Sequence, residues 1–281
     1  MTPAGRRRVF AEEIAAVAHL ESPRLIEAFA QVPREHFLGA GPWQIAMLGQ
    51  EPPYRTTVDG DPRHIYHDVL VAIDPARQLN SGQPSSLARW INALAVAPGD
   101  AVMHLGCGVG YYTAILSELA GAGGSVYACD VDPGLAARAR DRLAGWPQVT
   151  VEAGDGSAPP GRYDAMFINA GVTCPLPAWL AALRPGGRLV LPLTMHVPGI
   201  SHGVGAMIRV TRGDGNWPAR FLTQVMIYDS ANARDPAQET ELRALASPGL
   251  AAQLRRVVVE PHERGPACGV HLPGFCLQAG A

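Results

Sequence analysis

The chain has 281 residues, 47% of them apolar and 17% charged, enough to bury a substantial core and too apolar for a disordered chain. A formal charge of -2 excludes a protein that works by neutralising many nucleic-acid phosphates, and Arg6 to Arg8 read as a solvated end. All 23 basic residues are arginine, so Schiff-base chemistry, a pyridoxal cofactor and a P-loop, each of which needs a lysine, are excluded.

In chain order, residues 1–39 read as helical. Ser22 and Pro23 form an N-cap and first turn, and Leu25, Ile26, Phe29 and Val32 share one face before Pro33 stops the run. Residues 40–66, rich in glycine, proline and aromatics, read as loop with at most a short strand. From residue 85 strands and helices alternate. SSLARWINALA is a helix, AVMHL a strand, YYTAILSELAG a helix and SVYAC a strand. LAARARDRLAG (helix), VTVEA and YDAMFINA (strands), LPAWLAAL (helix) and GRLVLPL (strand, entered through Pro185-Gly186-Gly187) continue the pattern. Helices of about ten residues between strands imply βαβ units and a mainly parallel sheet covered on both faces. GAMIRVTR and RFLTQVMIY read as an antiparallel hairpin at the sheet edge, followed by a helix-like ETELRALA and a tail.

Gly106, Gly108 and Gly110 lie between a strand and a helix, where glycine permits a tight turn and a close ligand. Their G-x-G-x-G spacing lacks the extra residue of the dinucleotide fingerprint and favours a nucleoside without a pyrophosphate. Asp130 ends the next strand, placed to accept the hydroxyls of a ribose. Asp155, in GDG after the third strand, is placed to accept from an adenine amino group. Taken singly, each is as well explained as a plain turn; three at successive strand ends point to one bound nucleoside.

With these features the chain resembles the class I S-adenosylmethionine-dependent methyltransferases and, within them, the protein-L-isoaspartate O-methyltransferase family. The likeness rests on VPREHFL (32–38), GCGVGYYTAIL (106–116), GDG (154–156), YDAMF (163–167) and LRPGGRLVLP (183–192), and runs from about residue 5 to 230. It implies a Rossmann-like α/β fold, a seven-stranded mixed sheet with helices on both faces. It also implies an N-terminal helical, substrate-side region at 1–70, a cofactor-binding domain at 71–230 and a C-terminal extension at 231–281. The implied cofactor is S-adenosyl-L-methionine, held by Gln83, Gly106, Cys107, Gly108, Gly110, Asp130, Val131, Asp155 and Gly156. The family's usual acid two positions before the first glycine is here His104, a strand-end histidine of the kind that more often packs than catalyses.

The stretch QLNSGQPSSLARW is both an N-cap and a substrate loop on this reading. Asn80, Ser81 and Gly82 are its substrate-binding residues. Aligned from Gln83-Pro84, Gly82 stands where the family has a serine beside the transferring methyl. Either Ser81 takes that catalytic place or the hydroxyl is lost. The implied acceptor is an isoaspartyl or aspartyl carboxylate of a protein or peptide. The alternatives are a modified peptide or small-molecule acceptor, and a non-catalytic cofactor-binding module.

The five cysteines show no C-x-x-C pair, so neither a zinc site nor a disulfide framework is expected. Cys107 reads as a reactive thiol or, more simply, a buried filler; Cys268 and Cys276 read as packed against the domain. His64, His67, His196 and His202 lack metal-ligand spacing. An odd thiol count, no signal-peptide pattern and no apolar run of about 18 residues imply a cytoplasmic protein without nucleic-acid or membrane partners.

Overall fold

A computed structural model describes residues 1–46, 54–246 and 253–280. From the N-terminus come helices α1 (Pro3–Ala18), α2 (Pro23–Gln31) and α3 (Arg34–Leu38), then the short strands β1 (Gln44–Ala46), β2 (Arg55–Thr56), β3 (Leu70–Asp74) and β4 (Leu79–Asn80). The alternating region contains α4 (Pro84–Leu94), β5 (Ala101–Leu105), α5 (Tyr111–Ala120), β6 (Ser125–Asp130), α6 (Pro133–Arg142) and β7 (Val149–Ala153). It continues with β8 (Tyr163–Ile168), α7 (Pro177–Ala182), β9 (Leu183–Met195), β10 (Gly203–Thr211) and β11 (Trp217–Ile227). Last come α8 (Glu239–Leu242), β12 (Leu254–Val258), β13 (Cys268–Leu272) and β14 (Phe275–Ala279). Of the loop read at 40–66, residues 47–53 lie outside the described residues.

Two compact units divide the chain. The first comprises Met1–Gly99, Cys107–Ala128 and Asp132–Ala153. Its helices begin where the sequence offers caps: Thr2 Oγ accepts from Gly5 N, Ser22 Oγ from Leu25 N, and Asp132 from Gly134 N and Leu135 N. Prolines occupy the first positions of α1, α2, α4 and α6, where a missing N–H is harmless. Edge-on rings knit the helices: Phe10 meets Phe29 at 6.2 Å, and Phe29 and Phe37 meet Tyr111 of α5 at 6.3 and 5.8 Å. A small antiparallel sheet, β2-β1-β3-β4, packs Trp43, Ile45, Ile65, Val69 and Val71 into its own core.

The second unit comprises Asp100–Gly106, Cys129–Val131 and Gly154–Ala281. Its strands run in the order β13-β14-β12-β11-β10-β9-β8-β5. β5, β8 and β9 are parallel, with His104 opposite Phe167 and Phe167 opposite Val190. Near-continuous apolar runs such as Ala165–Ile168 suit strands buried on both faces. β9, β10 and β11 are antiparallel neighbours.

Three readings are corrected here. The β10–β11 hairpin is not the edge, because Trp217 and Pro218 pair with Val257 and Arg256 of β12. In the tail, β12, β14 and β13 form an antiparallel addition. The seven strands expected from the family are β5 to β11, and these three raise the count to ten. β9 also starts at Leu183 rather than after the glycines. Gly186 N donates to Arg212 O at 2.7 Å and Arg212 N to Gly187 O at 2.8 Å, drawing Pro185–Gly187 into the ladder.

Candidate active site

Within the second unit, the residues that end or follow four strands converge. Gly106 N, just past β5, donates to Cys129 O at the end of β6, and Gly154 N, just past β7, donates to Asp130 O, each at 2.9 Å. Asn169, just past β8, donates its backbone N–H to Leu105 O at 2.9 Å and its side-chain amide to Gly106 O at 3.4 Å. Gly106 sits at φ +76°, and a Cβ there would lie 2.9 Å from Asn169 O, so the turn admits glycine alone.

Asp130 is 8% exposed at the end of β6, and the next residue, Val131, is 57% exposed. A buried carboxylate beside an exposed apolar side chain suits a ribose and the face of its base. Asp155 is already bonded: Ser157 N donates to Oδ1 at 2.8 Å and the Asn232 amide to Oδ2. The N–H and hydroxyl of Ser157, then the Asn232 amide, hold its carboxyl below the usual carboxylate range. Gly156 O accepts from Nε1 of the buried Trp179 at 2.8 Å, which pins the GDG turn.

His104 lies in the core of this unit. Its ring stacks on Phe167 with centroids 5.2 Å apart and planes 14° apart, and it is fully buried. Burial pushes its pKa down to about 3, so it is neutral at physiological pH. It therefore cannot supply the anion that an acid at this position would offer.

Within the first unit, the loop 80–83 is tightly organised. Asn80 Oδ1 accepts from Gly82 N at 2.9 Å. Ser81 N donates to Val71 O at 2.8 Å, and Ser81 Oγ accepts from Val71 N and from Arg34 Nη2, each at 3.2 Å. Gly82 sits at φ +72°, where a Cβ would lie 2.8 Å from Leu87 Cδ2. Gly82 is thus no vacant place for a serine; the only hydroxyl of residues 80–83 belongs to Ser81. Gln83 is the N-cap residue of α4 without capping it. Asp68 does so instead, accepting from Ser85 N at 2.8 Å, Ser85 Oγ at 2.6 Å and Gln83 Nε2 at 2.9 Å. Cys107 is buried and follows Gly106 into the turn that starts α5, whose N-cap is Gly110. Burial favours the filler reading of Cys107 over the reactive one.

With this geometry in hand, comparison with known proteins is informative. The sequence pattern of the family described as Protein-L-isoaspartate(D-aspartate) O-methyltransferase (PCMT) matches residues 55–201. The chain belongs to this family. A protein-L-isoaspartate O-methyltransferase of Ignicoccus hospitalis is 30% identical over 194 residues, covering 67% of this chain and 82% of that one. One of Protochlamydia amoebophila is 32% identical over 213 residues, 73% and 86% of the two chains. A solved protein-L-isoaspartate O-methyltransferase superposes with a TM-score of 0.63 at 18% identity, over 96% of this chain and 88% of its own. A second, from Plasmodium falciparum in complex with S-adenosyl-L-homocysteine, gives 0.59 at 14% identity, over 80% and 97%. At such identities the two structures establish the fold, a Rossmann-like methyltransferase fold.

As a member of this family the chain is a methyltransferase that uses S-adenosylmethionine. Its residues fit that group. Asp130 is a buried carboxylate, Val131 is an exposed apolar side chain, and a Cβ at Gly108 (φ +57°) would meet no atom of the described residues within 4 Å. Arg34, Asp68, Asn169 and Trp179 were not singled out from sequence. VPREHF contains Arg34, but nothing in the motif says where the guanidinium goes; Asp68 precedes the helix it caps by 16 residues and carries no local signature.

Proposed function

We propose that the protein transfers a methyl group to the carboxylate of an isoaspartyl or aspartyl residue in a protein or peptide. The carrying observation is the family match over residues 55–201, which takes in the loop Asn80–Gln83, Gly106, Asp130 and Asp155. When bound, S-adenosylmethionine supplies a methyl group on a cationic sulfur. A carboxylate acceptor has a reference pKa of about 4 and is ionised at neutral pH, so no residue need remove a proton. The chain's task is alignment and exclusion of water.

In this reading Gly106, Cys107, Gly108 and Gly110 give backbone contacts to the methionine portion, Asp130 holds the ribose, Val131 covers the base, and Asp155 and Gly156 meet its amino edge. Gln83, bonded to Asp68, is a further cofactor-binding residue. Asn80, Ser81 and Gly82 receive the acceptor. Ser81 takes the place of the family's serine as a positioning residue, since its hydroxyl is already bonded to Arg34 and Val71. Residues 1–70 are assigned to the substrate side, 71–230 to the cofactor and 231–281 to an extension. No described helix is long and apolar enough to cross a membrane, and we place the reaction in the cytoplasm, without a nucleic-acid partner.

Replacing Asp130 by alanine is expected to weaken cofactor binding roughly ten- to a hundredfold, through loss of charge-assisted hydrogen bonds to the ribose. Calorimetry with S-adenosylhomocysteine checks this, and unchanged affinity would remove Asp130 from the site. The reaction is tested with labelled S-adenosylmethionine and a matched peptide pair, one isoaspartyl and one aspartyl. Selective labelling of the isoaspartyl peptide is expected. Labelling of neither, with cofactor binding intact, would overturn the proposed acceptor.

A further inference from the structure

The C-terminal strands bring together four side chains that the sequence keeps apart. His262 lies in the loop after β12, Cys268 and His271 on β13, and Cys276 on β14. One nitrogen or sulfur atom from each lies within 4.8 Å of all the others. The geometry points to a structural metal site of the zinc type, with Cys268, Cys276, His262 and His271 as its four ligands.

β-sheet geometry explains the convergence. His271 and Cys276 are direct cross-strand partners, so their side chains share a face. Alternation alone would put Cys268, three residues before His271, on the opposite face. A register shift between Cys268 and Val270 inserts a residue and returns Cys268 to the His271 face. Val270, Leu272, Phe275 and Leu277 are then left together on the other face, and all four are buried. His262 approaches from the loop, its Nε2 3.5 Å from Cys268 Sγ and its ring 4.8 Å from that of His271.

The surroundings are those of a metal site rather than of four packed side chains. The Nδ1 of His262 is engaged with Glu260 O at 3.0 Å, which orients the ring and leaves Nε2 for the cluster. Cys268 Sγ accepts from Gly265 N at 3.3 Å and from Gln278 Nε2 at 3.8 Å, contacts that stabilise a thiolate. The Nδ1 of His271 is buried with no hydrogen-bond partner among the described residues. Both cysteines are buried, and neither is in a disulfide. In a tetrahedral zinc site the donors stand roughly 3.3–3.8 Å apart, given Zn–S and Zn–N lengths near 2.3 and 2.0 Å. His262 Nε2 and Cys268 Sγ, at 3.5 Å, already stand at that spacing, and no pair of the four is more than 4.8 Å apart. Two thiolates and a dication make a neutral unit, which suits burial. Four protein ligands leave no open position, so the site is structural and would tie the β13–β14 hairpin to the loop before it.

The experiment uses the full chain purified without a polyhistidine tag and in reductant. Metal analysis after dialysis is expected to find about one zinc per chain. After chelator stripping, added Co2+ is expected to give the intense ligand-field bands of tetrahedral cobalt with thiolate-to-metal charge transfer. Cys268→Ser with Cys276→Ser is expected to abolish both readouts, whereas Cys174→Ser keeps them. A folded parent chain that takes up no Co2+, or gives only a weak octahedral spectrum, would overturn the site. So would a Cys268–Cys276 disulfide found by mass mapping. The charge-transfer band is read on the parent protein, so the result stands even where the double variant does not fold. None of this depends on the methyl acceptor.

Discussion

Replacing Arg34 by leucine is expected to destabilise the fold by roughly 3–5 kcal/mol, because several buried carbonyl oxygens lose their donor at once. Arg34 opens α3 and is completely buried. Its guanidinium donates to the carbonyl oxygens of Ile65, His67 (3.1 Å) and Val69 (2.8 Å), and to Ser81 Oγ at 3.2 Å. It also faces the rings of Phe10 and Tyr111 at 5.6 and 6.0 Å. One side chain thus gathers the chain before β3 and the proposed acceptor loop onto α1, α3 and α5. Leucine would pack against the rings but leave the carbonyls without donors, at roughly 1–3 kcal/mol for each that stays dry. Relief from burying a charge offsets part of that sum, which keeps the net figure below it. Lysine is expected to recover only part, because a point charge cannot reproduce the planar fork. Urea unfolding measures the loss directly, and a leucine variant within about 1 kcal/mol of the parent would refute the network's importance. In the lysine variant the loss of methyl transfer should exceed the loss of stability, since Ser81 loses a fixed donor.

Much of the architecture is legible without coordinates because its signals are local. The alternation of apolar strands and helical runs from AVMHL to VTVEA gives β5, α5, β6 and β7 to within a residue and α6 to within three, and Ser22, Asp132 and the helix-starting prolines mark their own positions. Gly106, Asp130 and Asp155 are legible as a set for the same reason: each ends or follows a strand, and strand ends in such a sheet share one edge.

What escapes notice depends on partners far along the chain. Arg34 bonds carbonyls more than 30 residues away, and a carbonyl has no sequence signature. The strands β12 to β14 are five residues each, separated by glycine and proline, and become strands by pairing in succession, β12 on β11, β14 on β12 and β13 on β14. The order His262, Cys268, His271, Cys276 matches no C-x-x-C rule, since the bulge at Cys268 decides which faces coincide. The shift of serine by one place at Ser81–Gly82 is visible in the sequence; its meaning is not, because it lies in a positive φ and in the methyl groups of Leu87.

Acidification is expected to destabilise the protein through His104, with an effect that vanishes when this one ring is replaced. In an unfolded chain an imidazole takes up a proton below about pH 6.5. Stacked on Phe167 and fully buried, His104 does so only near pH 3, its pKa lowered by burial. Between those values the unfolded state binds more protons, so stability falls as pH falls, by up to about 1.4 kcal/mol per pH unit. Above about pH 6.5 both states are neutral at this residue and it contributes no slope. Across the whole window the loss would approach roughly 5 kcal/mol. His196 has the opposite sense: hydrogen bonding to Asp229 raises its pKa, so its contribution is present at low pH and fades as the pH rises through the raised value. It is more than half exposed, and solvent screening keeps that contribution small. The informative quantity is therefore the difference in pH slope between the parent and His104→Leu, from urea midpoints at pH 7.5, 6.0 and 5.0. A steeper fall in the parent below about pH 6.5 is expected whatever the absolute stability of the variant. Parallel profiles would mean that His104 gains a proton in the folded state as readily as in the unfolded one.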